Sequence, residues 1–237
     1  MTDSIKYIAR HLHSVATMQE IAQKAGLLNN IRELQNWQCE RIMLSHQKLL
    51  AQPDCQPALD FFAQHLYGGK DFSQRDNAIQ RVIPKAARFM PQISLQALAS
   101  ALHLNAVTFE LDYAMAKQLK ETTLNRDTYL AAYRACNNMA ERQLQWRLFE
   151  KMISELALVV KLRGISALLL LSRKPAALAG LQNLHQFIDS GYRAFKGIHD
   201  IESFVASIVQ VEQSLHAKMS NPNMPNPLPS FGALYER

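Results

Sequence analysis

From Tyr129 to Val159 apolar side chains recur at steps of three and four: Tyr129, Tyr133, Cys136, Ala140, Leu144, Leu148, Met152, Leu156 and Val159. A helix turns once in 3.6 residues, so this spacing lays them along one side of it. The period-two alternation of a half-buried strand persists nowhere in the chain. The pattern predicts one long central helix near 126–162, ~50 Å from end to end if unbroken, with Asn137-Asn138 as the place to break it. The expected fold is therefore all-α: an irregular bundle of about eight to ten helices over residues 1–220. Composition agrees. At 48% hydrophobic the 237 residues supply a sizeable core, and only 8 are glycine. Leu, Ala, Gln and Met, which lose little freedom in a helix, are plentiful.

The remaining helices are read from the same period and from their stops. Ile5, Ile8, Leu12, Val15, Met18 and Ile21 share a face, and Gly26 ends it. A second helix is expected over about 27–50 on Leu27, Ile31, Leu34 and Trp37. Asp54 with Pro57 opens a third, and Ser73 opens another that carries Pro84. Two short helices are expected over 93–103 and 106–121, then Asn125 as a cap. After Gly164, the run ISALLLL reads as buried. Lys174-Pro175 starts a helix to about Ser190, Gly191 and Gly197 bracket a link, and Asp200 leads the last helix. The tail over 221–237 is Pro-rich and extended, docking through Phe231 or Leu234.

Charge and cysteine usage exclude several classes. The net charge is +6, but Lys and Arg are dispersed, which does not favour a nucleic-acid partner. Three cysteines without a CxxC argue against a disulfide scaffold and for a cytoplasmic location. The run from Leu156 to Leu171 is interrupted by Lys161, Arg163 and Gly164, so no membrane span is expected. Chemical motifs are missing as well. There is no Glu-x-x-His for a bundle metal centre, no phosphate-binding Walker loop and no G-x-S-x-G. Glu212 and His216 have i,i+4 spacing, which reads as a solvated pair. No catalytic residue, metal ligand or cofactor is assigned.

One segment stands apart. Asp60 to Pro91 crowds aromatics, two glycines and opposite charges together. As structure it is a helix–turn–helix corner, with Phe61, Phe62, Tyr67 and Phe72 inward and Gly68-Gly69 supplying the backbone freedom of a sharp turn. As a site it would place His65, Tyr67, Lys70, Asp71, Arg75, Asp76 and Arg81 around a polar or anionic ligand, because arginine forks suit carboxylates and phosphates.

The run Phe61-Phe62-Ala63-Gln64-His65-Leu66-Tyr67, with Gly68, Asp71-Phe72-Ser73, Arg75-Asp76, Arg81-Val82, Pro84 and Pro91, resembles a bacterial family of proteins named after an FFLEELY motif. Both phenylalanines, the leucine and the tyrosine are kept. The family's leucine is lost at Ala63, and its two glutamates at Gln64 and His65. Weaker resemblance continues through Arg173-Lys174-Pro175, Gly191, Ala194-Phe195, Phe204, Ile208 and Glu212. The resemblance implies an all-helical bacterial protein and brings no reaction with it.

The function expected first is that of a non-catalytic interaction or scaffold protein, with a protein partner or a second copy of the chain. The alternative is a binder of a small or lipid-like ligand, in a bundle pocket near the 60–91 segment. An enzyme using His65 as acid or base, with Asp60, Tyr67, Asp71 and Asp76 nearby, comes last.

Overall fold

The longest helix runs from Gln92 to Gln118, and its neighbours are arranged around it. The computed structural model of the chain describes residues 3–62, 73–87 and 90–230, apart from the side chains of 73–75 and 84–86. Among these residues there are eleven helices and no strand: α1 Asp3–Lys24, α2 Leu28–Ser45, α3 Gln47–Leu50, α4 Gln56–Phe62, α5 Ser73–Ala86, α6 Gln92–Gln118, α7 Arg126–Cys136, α8 Met139–Lys161, α9 Ile165–Leu178, α10 Gln182–Lys196 and α11 Ile201–Ser220. The all-α reading holds.

Buried residues of α6 recur on every side of it, among them Leu95, Leu102, Phe109, Leu111 and Met115. Such a helix must be covered all round, and α8 and α1 make its broadest contacts. Asn105 does not interrupt it, so the two short helices expected here are one.

The long helix expected over 126–162 is two. Asn137 takes the left-handed conformation at φ 45° and ends α7; α8 begins at Met139. Asparagine tolerates that conformation better than most residues. Asn125 caps α7 as expected, accepting from the Asp127 and Thr128 amides while Thr128 Oγ1 accepts from the Asn125 amide. Gly26, at φ 68°, ends the first helix, and Asp200 caps the last by accepting from the Ser203 amide.

Four further expectations need correction. The segment 27–50 breaks at His46, between α2 and α3. Pro175 does not start a helix but lies inside α9, and Gly191 lies inside α10. The close approach explains that glycine: a Cβ there would sit 2.7 Å from Phe61 Cζ. The ISALLLL run is not buried. No residue of α9 is fully covered, and Leu170, Leu171 and Leu178 are 70%, 75% and 90% exposed.

The core has one large cluster around Phe62, Phe149 and Phe195 and another around Trp37, Tyr129 and Tyr133. The tail joins the second through buried Leu228. Arg134 fastens it by donating to the Met219, Asn221 and Met224 carbonyls, and Arg126 by donating to the Asn226 carbonyl. Phe231 and Leu234 lie outside the described residues.

Candidate functional site

Of the residues expected at a site, His65, Tyr67, Lys70 and Asp71 lie outside the described residues, and so does the Arg75 side chain on α5. Asp76 is half-buried in the first turn of α5, and Arg81 is exposed on the same helix. The polar chemistry of the described residues is concentrated elsewhere, between α2, α7, α8 and α11.

There, Arg41 Nη1 donates to both carboxylate oxygens of Glu212, and His46 Nε2 donates to Glu212 Oε1 at 2.9 Å. All three side chains are buried. Burial alone would push the Glu212 carboxyl up; the Arg41 charge and the hydrogen bonds from His46 and Arg41 outweigh it and hold it at about 2. His46 lies at the break between α2 and α3 and is buried there. Glu212 and His216 are therefore not a solvated pair. Glu212 is the hub of the centre, and His216 Nδ1 bonds instead with the Tyr133 hydroxyl.

Arg142 is buried beside them. Its guanidinium lies 3.9 Å from the centroid of the Tyr133 ring, and its Nε donates to Asn138 Oδ1 at 3.0 Å. Asp112 lies behind, accepting from Gln35 at 2.9 Å and Gln38 at 2.8 Å. Burial pushes its carboxyl up to about 6, against the lowering effect of those two amides and of the Arg142 charge. A cavity of about 70 Å³ opens among Arg41, Tyr133, Arg142, Glu212 and His216, with Trp146 and Phe149 on its apolar side.

A second, apolar cavity of about 230 Å³ borders the 60–91 segment. Phe61 and Phe62 of α4, Leu98 of α6, Leu156 of α8, Leu169 of α9 and Phe187 of α10 are among its walls. The Ser94 hydroxyl on its wall is buried and has no hydrogen-bond partner among the described residues. At Tyr192 the cavity meets a polar cleft of about 370 Å³ that also includes Ser166, Asp189, Arg193 and Lys196. The Tyr192 hydroxyl bonds Ser166 Oγ at 2.8 Å, and Lys196 Nζ donates to the same oxygen at 3.2 Å. Arg193 is paired with Asp189 at 2.9 Å, and among the described residues the Lys196 ammonium has no carboxylate partner.

Sequence reasoning missed Arg41, His46, Asp112 and Arg142. The signal is a charged residue in an apolar register. Ile31, Leu34 and Trp37 are followed in phase by Arg41, and Phe204 and Ile208 by Glu212.

Among the described residues no group of three or more His, Cys, Asp or Glu side chains could hold a metal ion, and no helix is long and apolar enough to cross a membrane. In comparisons with known proteins, a family model described as a domain of unknown function (DUF8198) matches residues 17–225, a stretch that holds the whole charged centre and both cavities. No curated protein and no solved structure matches.

Proposed function

The chain belongs to the DUF8198 family, a domain of unknown function, and we propose that it binds a single-chain amphiphile with an anionic head. The apolar cavity carries this reading. At about 230 Å³ it exceeds the ~150 Å³ cavities that stay dry and bind benzene. A water entering it needs two to four polar partners, and the wall offers little beyond the Ser94 hydroxyl. An alkyl chain needs none. The adjoining cleft places Lys196, with the Ser166 and Tyr192 hydroxyls, where an anionic head would emerge. This is the usual division of a ligand site into an apolar body and a few converging polar groups.

The test is calorimetric titration with laurate below its micelle concentration, beside native mass spectrometry. Saturable binding at one site per chain is expected. Ala101→Phe, which fills the cavity, abolishes it. Lys196→Gln weakens laurate while leaving dodecanol unchanged. Absence of saturable binding, or binding untouched by Ala101→Phe, would sink the proposal.

A second reading rests on α9. Its inner side carries Ile165, Leu169, Ser172 and Ala176; its outer side presents Leu170, Leu171 and Leu178 to solvent. An exposed leucine face of this kind marks an association surface. It supports an interaction role for the chain. Leu170→Glu with Leu171→Glu should abolish any self-association seen by analytical ultracentrifugation. A wild-type monomer at all concentrations would remove the second copy as the partner.

A further inference from the structure

We infer that the cavity beside the Glu212 centre is a binding site for a small carboxylate, separate from the apolar cavity. The inference starts from two buried nitrogens that belong to residues lining it. Arg142 Nη2 and His216 Nε2 have no hydrogen-bond partner among the described residues. Arg142 as a whole is only 8% exposed. Arg41 has Glu212, whereas among the described residues Arg142 has Asn138 Oδ1 and the face of Tyr133 in contact and no carboxylate. A guanidinium taken from water without an anion in contact is strongly disfavoured. Asp112 acts on it only from a distance, and its own carboxyl is occupied by Gln35 and Gln38.

The second nitrogen indicates the polarity of the ligand. A phenol is the better donor, so Tyr133 O–H donates to His216 Nδ1. In the neutral imidazole that leaves the proton on Nε2. Burial lowers the pKa of His216, which keeps the ring neutral. Both bare atoms, Arg142 Nη2 and His216 Nε2, are then buried N–H donors on residues that border one space. Two donors, one of them cationic, match the two oxygens of a carboxylate.

Size and lining complete the class. The space is about 70 Å³, several times the ~10–15 Å³ that admits one water molecule. Trp146, Phe149 and Phe62 form its apolar side. A carboxylate with one or two carbons beyond the carboxyl fits.

Propionate is the probe, with propionamide as its neutral counterpart of nearly the same shape and chloride as the ionic-strength control. In wild-type protein, propionate should raise the melting temperature saturably and shift the His216 imidazole resonances, and propionamide should do neither. Arg142→Met keeps the side chain's length, removes the charge, and should weaken propionate at least tenfold. Ala101→Phe, in the other cavity, should leave the propionate response unchanged. The wild-type contrast between propionate and propionamide stands even if the Arg142 variant folds poorly. Equal responses to propionate and chloride, a response to propionamide matching that to propionate, or full binding by Arg142→Met would each overturn the inference.

Discussion

Arg41 on α2 holds both oxygens of Glu212 on α11 through a single nitrogen, joining residues 171 positions apart. The contact is buried, so its loss is asymmetric. Removing the acid leaves a guanidinium in the core, and breaking a buried pair in this way costs about 3–5 kcal/mol. Glu212→Gln should lose that much in denaturant unfolding. The Glu212 carboxyl sits at about 2, below its ordinary 4.5. Its stabilisation is thus complete above pH 4.5 and lost as pH falls through 2. The variant should lack that acid limb.

Asp112 works in the opposite direction. Its folded-state value of about 6 lies above the ordinary 3.8, so the folded protein holds the proton more tightly. The contribution is fully present below pH 3.8 and lost as pH rises through 6. The shift corresponds to roughly 3 kcal/mol. Asp112→Asn should remove this fall, leaving a flatter stability profile between pH 4 and 6. Matching profiles for the two proteins would contradict the assignment.

His11 of α1 stacks on His103 of α6 with ring centroids 4.2 Å apart. Burial, the neighbouring His103 and Arg10 lower His11 to about 4; burial first, then Lys151 and Arg10, lower His103. A histidine with a depressed value resists charging, so stability falls as pH drops from 6.5 through 4. Imidazole NMR should show His11 titrating near 4. His103→Gln should move that midpoint upward.

Phe61 lies over Gly191, and a methyl group at that position would overlap its ring. The ring is already confined by Phe187 and Phe195. Gly191→Ala should therefore cost about 1–3 kcal/mol. At Gly197 the nearest atoms to a Cβ are 3.6 and 3.8 Å away. Gly197→Ala should leave thermal unfolding almost unchanged, and equal losses in both variants would contradict the packing argument.

The helical class and several boundaries were legible because local chemistry sets them. Gly26, Asn125 and Asp200 each stop or start a helix through their own conformation or side chain. Elements whose boundaries depend on tertiary packing were misread. Gly191 looked like a link because its reason for being glycine is a ring from another helix. The α9 leucines looked buried because an all-apolar run has no polar side to show which face turns outward. The charged centre was hidden for a related reason. Glu212 and His216 have the spacing of an ordinary surface pair, and only Arg41 and His46, far away in the chain, make that carboxylate a buried one. The expected site around His65 and Tyr67 falls outside the described residues, while its borders Phe61, Phe62, Met90 and Pro91 line the apolar cavity.

The left-handed Asn137 has a consequence beyond ending a helix. Tyr133 and Arg142 are nine residues apart. On one unbroken helix they would stand ~13 Å apart along the axis, on opposite sides of the rod. The corner at Asn137 and Asn138 folds the path back so that the guanidinium covers the phenol ring. A two-residue departure from regularity thus makes neighbours of groups that helical periodicity would hold back to back. Restoring the helix there, with alanines at 137 and 138, would straighten the rod and take the Arg142 guanidinium off the Tyr133 ring.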